Sequence, residues 1–225
     1  MSVRFLRENS LSLVFGGLFV AAVCGQSFAG LHVFNEEAAQ HGSDTISWGR
    51  YVLTSHFGGA LLENWQSEYL QFSLFIGATI WLVQKGSNES KPVADAGRES
   101  VRKQRMLSAA DARSPLWAKV GGWRTALYSN SLLLVMSLIF VASWLGQSFT
   151  GRVEYNELQE DHGEPTVSWT GYLVRPDFWE RTLQNWQSEF LAIGTMAVFT
   201  IYLRQRGSPE SKPVGAPHDE TGSSG

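Results

Sequence analysis

Apolar residues along the chain gather into four stretches, at 11–32, 64–84, 130–151 and 185–204. Each is close to the ~20 residues that a helix needs to cross a ~30 Å hydrocarbon slab. A lipid-embedded backbone must satisfy its own polar groups, and an open chain does so only as a helix. The pattern predicts an all-α membrane bundle of four transmembrane helices. The second span of each unit is short on apolar residues: from Tyr69 to Val83 there are only fifteen positions, or ~22 Å of helix. To cross, it must draw in the polar turns Glu63-Asn64-Trp65-Gln66-Ser67-Glu68.

The pattern occurs twice. Residues 9–93 align without gaps on 130–214, and about half of the aligned positions are identical. Gly25-Gln26-Ser27-Phe28 falls on Gly146-Gln147-Ser148-Phe149, and Asn35-Glu36 on Asn156-Glu157. His41-Gly42 falls on His162-Gly163, Ser47-Trp48 on Ser168-Trp169, and Asn64-Trp65-Gln66-Ser67-Glu68 on Asn185-Trp186-Gln187-Ser188-Glu189. Glu89-Ser90-Lys91-Pro92-Val93 recurs as Glu210-Ser211-Lys212-Pro213-Val214. Self-similarity on this scale predicts a tandem duplication. The expected parts are a first two-span repeat at 1–93, a basic linker at 94–129, a second two-span repeat at 130–214 and a disordered tail at 215–225.

The repeat bears on the first stretch, which with Arg4, Arg7 and a small-residue end at Ser27-Phe28-Ala29 has the look of a signal peptide. The same pattern recurs internally from Leu132 to Gly151, so residues 11–30 are expected to stay as a membrane helix. The linker carries Arg98, Arg102, Lys103, Arg105, Arg113, Lys119 and Arg124, whereas the hairpin loops are expected to hold Glu36, Glu37, Asp44, Glu154, Glu157, Glu160, Asp161 and Glu164. The positive-inside rule then puts both termini and the linker in the cytoplasm, with the two repeats parallel. The expected location is a bacterial cytoplasmic (inner) membrane. Trp117 and Trp123 fit either a surface helix facing anionic lipid or a solvated linker.

Composition changes the picture little. The 225 residues have 44 % hydrophobic content and a formal net charge of -3, which offers no basic footprint for nucleic acid. Nine Trp and thirteen Phe suit a membrane interface. The lone Cys24 excludes an intramolecular disulfide and lies in an apolar run as a packing residue.

Candidate chemistry sits in a polar layer. Measured from the inner boundaries, Gln26 and Glu68 each fall ~21–23 Å above the cytoplasmic face, and the repeat puts Gln147 and Glu189 at that depth too. The candidate ligand-binding set is Gln26, Asn64, Glu68, Gln147, Asn185 and Glu189, with Ser27 and Ser148 beside it and Arg50 a weaker partner. A carboxylate at such depth is expensive and points to function. Two structural readings stand beside it: the carboxylates at headgroup level with Trp65 and Trp186 as anchors, or the amides as packing glue.

Glu36, His41, Glu157 and His162, with Glu68 and Glu189, make up the two-His, four-Glu inventory of a dinuclear site. Their spacing argues against it: such sites hold Glu and His three apart on one helix, whereas Glu36 and His41 are five apart. No cofactor and no catalytic motif is expected. His32 and His56 lack counterparts, since Val153 and Asp177 stand in their places. Gly86 and Gly207 read as helix C-caps behind Lys85 and Arg206.

The set Gly-Gln-Ser, Asn-Glu, His-Gly, Asn-Trp-Gln-Ser-Glu and Glu-Ser-Lys resembles an uncharacterised bacterial family of small membrane proteins, domain of unknown function number 6766. The resemblance covers nearly the whole chain outside the linker and tail, and Asn-Trp-Gln-Ser-Glu is its most specific part. It implies a multi-pass bacterial membrane protein and supplies no substrate. The function expected is a non-catalytic bundle that binds or passes a small polar solute, a cation or a proton. An accessory or structural membrane protein is the alternative, and a metal-dependent membrane enzyme comes third. The expected partner is the lipid bilayer, with anionic lipid at the linker, and a homo-oligomer is compatible with the pattern.

Overall fold

A computed structural model of the chain describes residues 3–222. Regular structure among the described residues is helical throughout. The helices are α1 Val3–Glu8, α2 Ser10–Gln40, α3 Trp48–Tyr51, α4 Ser55–Ala78, α5 Leu116–Lys119, α6 Gly122–Ser129, α7 Ser131–Asp161, α8 Trp169–Tyr172 and α9 Pro176–Tyr202.

Among the described residues two helices, not four, are long and apolar enough to cross a membrane: α2 and α7, each 31 residues or ~46 Å. At 24 and 27 residues α4 and α9 match the slab in length, at ~36 and ~40 Å, but not in apolarity. Helix ends also differ from expectation. The first helix of each half runs on through Asn35-Glu36-Glu37 and through Asn156-Glu157, so Glu36 and Glu157 lie on helices rather than in loops. Meanwhile α4 and α9 begin nine residues before the positions 64 and 185 expected, at Ser55 and Pro176.

The reason for the long helices is legible at their ends. His41 caps α2, and Gly42 follows it at φ 71. The Ser43 N–H reaches Ala38 O at 2.8 Å and the Gly42 N–H reaches Ala39 O at 3.2 Å. These are the two bonds of a Schellman stop, which needs a left-handed residue that glycine adopts freely. Gly163 at φ 69 repeats them, with Glu164 N–H to Gln159 O and Gly163 N–H to Glu160 O. Gly86 and Gly207 have positive φ too, but they lie in turns several residues past α4 and α9 and cap neither helix.

The same contacts recur between equivalent positions. Asn35 donates to Ile46 O and accepts from Ile46 N–H, and Asn156 does both with Val167. Trp48 Nε1 donates to Ser27 Oγ at 2.9 Å, and Trp169 Nε1 to Ser148 Oγ at 2.9 Å. Tyr51 Oη pairs with His56 Nδ1, and Tyr172 Oη donates to Asp177. His56 and Asp177, unlike in type, therefore serve one purpose.

The chain divides into two compact units that do not follow the repeats. One comprises Met1–Leu61 with Phe149–Ser168, the other Leu62–Ser148 with Trp169–Gly225. In the first, Tyr51 is the main buried side chain, packed on Phe34 and Phe57. In the second, the buried set is largely polar: Gln66, Ser67, Ser73, Ser143, Gln147, Ser148, Thr182 and Thr200. Large apolar residues of α2 and α7, such as Phe15, Leu18, Leu132, Val135 and Leu138, are exposed. That distribution is the reverse of a water-soluble core, and the exposed apolar surface calls for a covering.

The linker is folded. Trp117 and Trp123 meet edge to face, Arg124 lies over Trp123, and Thr125 Oγ1 donates to Trp117 O while accepting from Gly121 N–H. Residues 215–222, for which the sequence predicts disorder, lie against the turn after α4.

Candidate functional site

Within the second unit, α4 and α9 meet along a polar seam. Gln66, Ser67, Leu70 and Ser73 are buried together on α4, a spacing that marks one helix face. Thr182, Trp186 and Glu189 present the corresponding face of α9. Trp186 Nε1 donates to Gln66 Oε1 at 2.7 Å, and Ser67 Oγ donates to Glu189 Oε1 at 3.2 Å. Trp144 of α7 donates from Nε1 to Thr182 Oγ1 and stacks on Phe140 and Phe178. Gly146 of α7 packs so near Leu62 that a Cβ there would come within 2.8 Å of its methyl group. A small residue at this crossing lets the backbones approach.

The seam extends toward the start of α9. Arg181 bonds Glu63 of α4 at 3.1 Å and approaches Asp177 at 3.4 Å, and Asp177 accepts from Tyr172 Oη. Asp177, Arg181, Asn185 and Glu189 recur every four residues, a stripe ~18 Å long on one side of the helix.

The sequence-predicted residues are placed unequally. Glu189 is half-buried in the seam, and Gln147 is fully buried on α7. Asn185 is half-buried and donates to Arg181 O of its own helix. Asn64 and Glu68 fall on the exposed side of α4. Gln26 is half-buried on α2, in the first unit.

The buried members of the Asn-Trp-Gln-Ser-Glu motif are thus Gln66 and Ser67. Matching depth selects a level in the membrane but says nothing about helix face. The clue was Leu70 and Ser73, which continue the Gln66 face by three or four residues while Glu68 does not share it. Gln66 Nε2 is buried with no partner among the described residues. A fully buried donor of this kind costs ~1–3 kcal/mol when unmet, so the seam has room in its chemistry for an acceptor.

The two histidines among the metal candidates have other work. His41 Nδ1 donates to Glu37 O and His162 Nδ1 to Leu158 O, each ring closing the helix stop described above. Among the described residues no three His, Cys, Asp or Glu side chains come together to hold an ion.

A second acidic pair lies past the ends of α4 and α9, in the equivalent segments around Glu89 and Glu210. Burial, and then the charge of Glu210, hold the Glu89 carboxyl above the usual carboxylate range. Folding therefore favours the protonated form, and the segment gains stability as pH falls through this raised value. After correction for intrinsic rates, exchange of the Gln84 amide, bonded to Ser90 Oγ, should slow as pH falls from neutral toward the usual carboxylate range. Glu89→Gln should flatten that dependence, and a wild-type profile that is already flat would contradict the assignment.

No curated protein and no solved structure matches the chain. A family model matches residues 2–223, and with that extent the chain belongs to the family described as domain of unknown function DUF6766.

Proposed function

We propose that the chain is a multi-pass protein of the bacterial inner membrane whose α4–α9 seam binds or passes a small polar solute, a cation or a proton, without catalysing a reaction. The observation that carries this reading is the Glu189 carboxylate bonded to the buried Ser67 hydroxyl, in a unit whose interior is polar and whose apolar residues face outward. Ionisable groups in such an interior commonly mark ion and proton paths. In this reading α4 and α9 cross the bilayer as α2 and α7 do, and the polar faces of α4 and α9 are turned to one another. The halves arose by tandem duplication, supported by the paired Ser27–Trp48 and Ser148–Trp169 bonds, and lie parallel. Both termini and the linker are cytoplasmic, where exposed Leu116, Trp117 and Trp123 with Lys119 and Arg124 suit anionic headgroups.

The test is the double change Glu68→Gln, Glu189→Gln in proteoliposomes, assayed for proton, alkali-cation and small-solute flux. Flux in the wild type that the variant loses, with insertion and folding intact, supports the reading; equal flux removes it. The alternative is an accessory membrane protein in which the seam is only an adhesive. It draws on the Arg181–Glu63 ion pair and the Trp186–Gln66 bond, which hold the two helices together. Loss of the folded protein on the same double change would favour that alternative.

A further inference from the structure

Where α4 and α9 run toward Ala78 and Tyr202, they flank an open pocket of about 170 Å³. Its walls are Gln71, Phe72 and Phe75 of α4 with Ile193 and Met196 of α9, and Glu89 and Glu210 also line it. All of these belong to the second unit, and none belongs to the seam of Glu189. Neither carboxylate has an ion-pair partner among the described residues. Glu89 Oε1 and the adjacent Asn88 Oδ1 are closed off from solvent with no hydrogen-bond partner there, while Asn88 Nδ2 is anchored on Pro209 O at 3.3 Å.

The Glu89 carboxyl is half-buried and Glu210 is exposed beside it; a carboxylate partly withdrawn from water is costly unless positive charge or a donor meets it. The walls narrow the choice of cation. A bare alkali or alkaline-earth ion seeks about six or more oxygen ligands, whereas Gln71, Glu89 and Glu210 together offer at most five side-chain oxygens and Phe, Ile and Met none. An ammonium with an apolar body meets both requirements: its charge faces the carboxylates, and its body lies against aromatic faces and a polarizable thioether.

We propose that this pocket binds a small lipophilic organic cation, an ammonium carrying an apolar substituent, with Glu89 and Glu210 at the charged end and Phe72, Phe75 and Met196 around the body. The site is independent of any passage through the seam, so either assignment stands or falls alone.

The experiment is calorimetric titration of the full chain, in a maltoside detergent free of ammonium groups, with benzyltrimethylammonium. Tetramethylammonium supplies the charge without the body, and benzyl alcohol a body without the charge. Saturable binding of benzyltrimethylammonium is expected, at least about tenfold tighter than either control. It should weaken about tenfold or more in Glu89→Gln, Glu210→Gln and in Phe72→Ala, and it should persist in Glu68→Gln, Glu189→Gln. The Phe72 variant leaves the acidic end intact, so it separates loss of the site from loss of the turn. No binding to the wild type, equal binding by the Glu89/Glu210 variant, or equal affinity for either control would overturn the proposal.

Discussion

Lys212→Met is expected to release residues 216–222 from the turn after α4 and to cost roughly 2–4 kcal/mol of local stability. Lys212 is 1 % exposed. Its Nζ donates to Gly86 O at 2.6 Å, Pro217 O at 3.0 Å, His218 O at 3.1 Å and Glu220 O at 3.0 Å. Burial, and then Arg204, push the ammonium's pKa down. The ring of carbonyls acts the other way, because only the charged form has three N–H donors to share among four acceptors. Methionine keeps much of the volume and leaves those carbonyls unmet. Two amides report the loss: Gly222 N–H, bonded to Ser87 O at 3.0 Å, and Gly86 N–H, bonded to Thr221 Oγ1 at 2.8 Å. Their hydrogen exchange should accelerate at least about tenfold while α7 is unaffected. Unchanged protection would mean that Lys212 is incidental to the fold of this segment.

Gly30→Ala is expected to destabilise the first unit by about 2–3 kcal/mol. A methyl group at that position of α2 would overlap the hydroxyl of Tyr51 and lie 3.0 Å from its Cζ. Tyr51 is 2 % exposed, set against Phe34 and Phe57, and its hydroxyl is tied to His56 Nδ1 at 3.1 Å, so the ring has nowhere to retreat. Tyr51→Phe removes the atom that clashes first and gives up one hydrogen bond, worth ~1 kcal/mol. The double variant should therefore be more stable than the sum of the two single losses implies. Thermal unfolding in detergent reads this coupling. Additive losses, or a neutral Gly30→Ala, would show that the contact does not constrain the unit.

The repeated motifs were legible in the sequence as positions that matter, and their jobs were only partly so. Gly-Gln-Ser and Ser-Trp stand out in both halves, yet nothing local says that the serine of one accepts from the indole of the other, 21 residues away. His-Gly was weighed as a metal ligand. A His just before a Gly at the end of an apolar helix is equally a stop signal, and the structure uses both histidines that way. Reading the helices as ending near the hydrocarbon boundary hid this, because it put Glu36 and Glu157 into loops. Charged residues in the last turns of a helix mark where the lipid ends and leave the helix itself intact.

Sequence alone determined that the chain is helical, that every notable motif occurs twice and which family the chain resembles, whereas of the four spans it predicted only two are helices apolar enough to cross a bilayer among the described residues. Those properties are carried by composition and by spacing along one chain, and need no partner to be read. Tertiary structure decided which face of α4 is inside, and so brought Gln66 and Ser67 to Trp186 and Glu189 while leaving Asn64 and Glu68 outside. It likewise gathered Arg181 with Glu63, and four carbonyls around Lys212. In a polar motif every residue is able to hydrogen-bond, so the motif does not specify its own buried side. Only packing against a second helix chooses, by closing one face to solvent and leaving the other open.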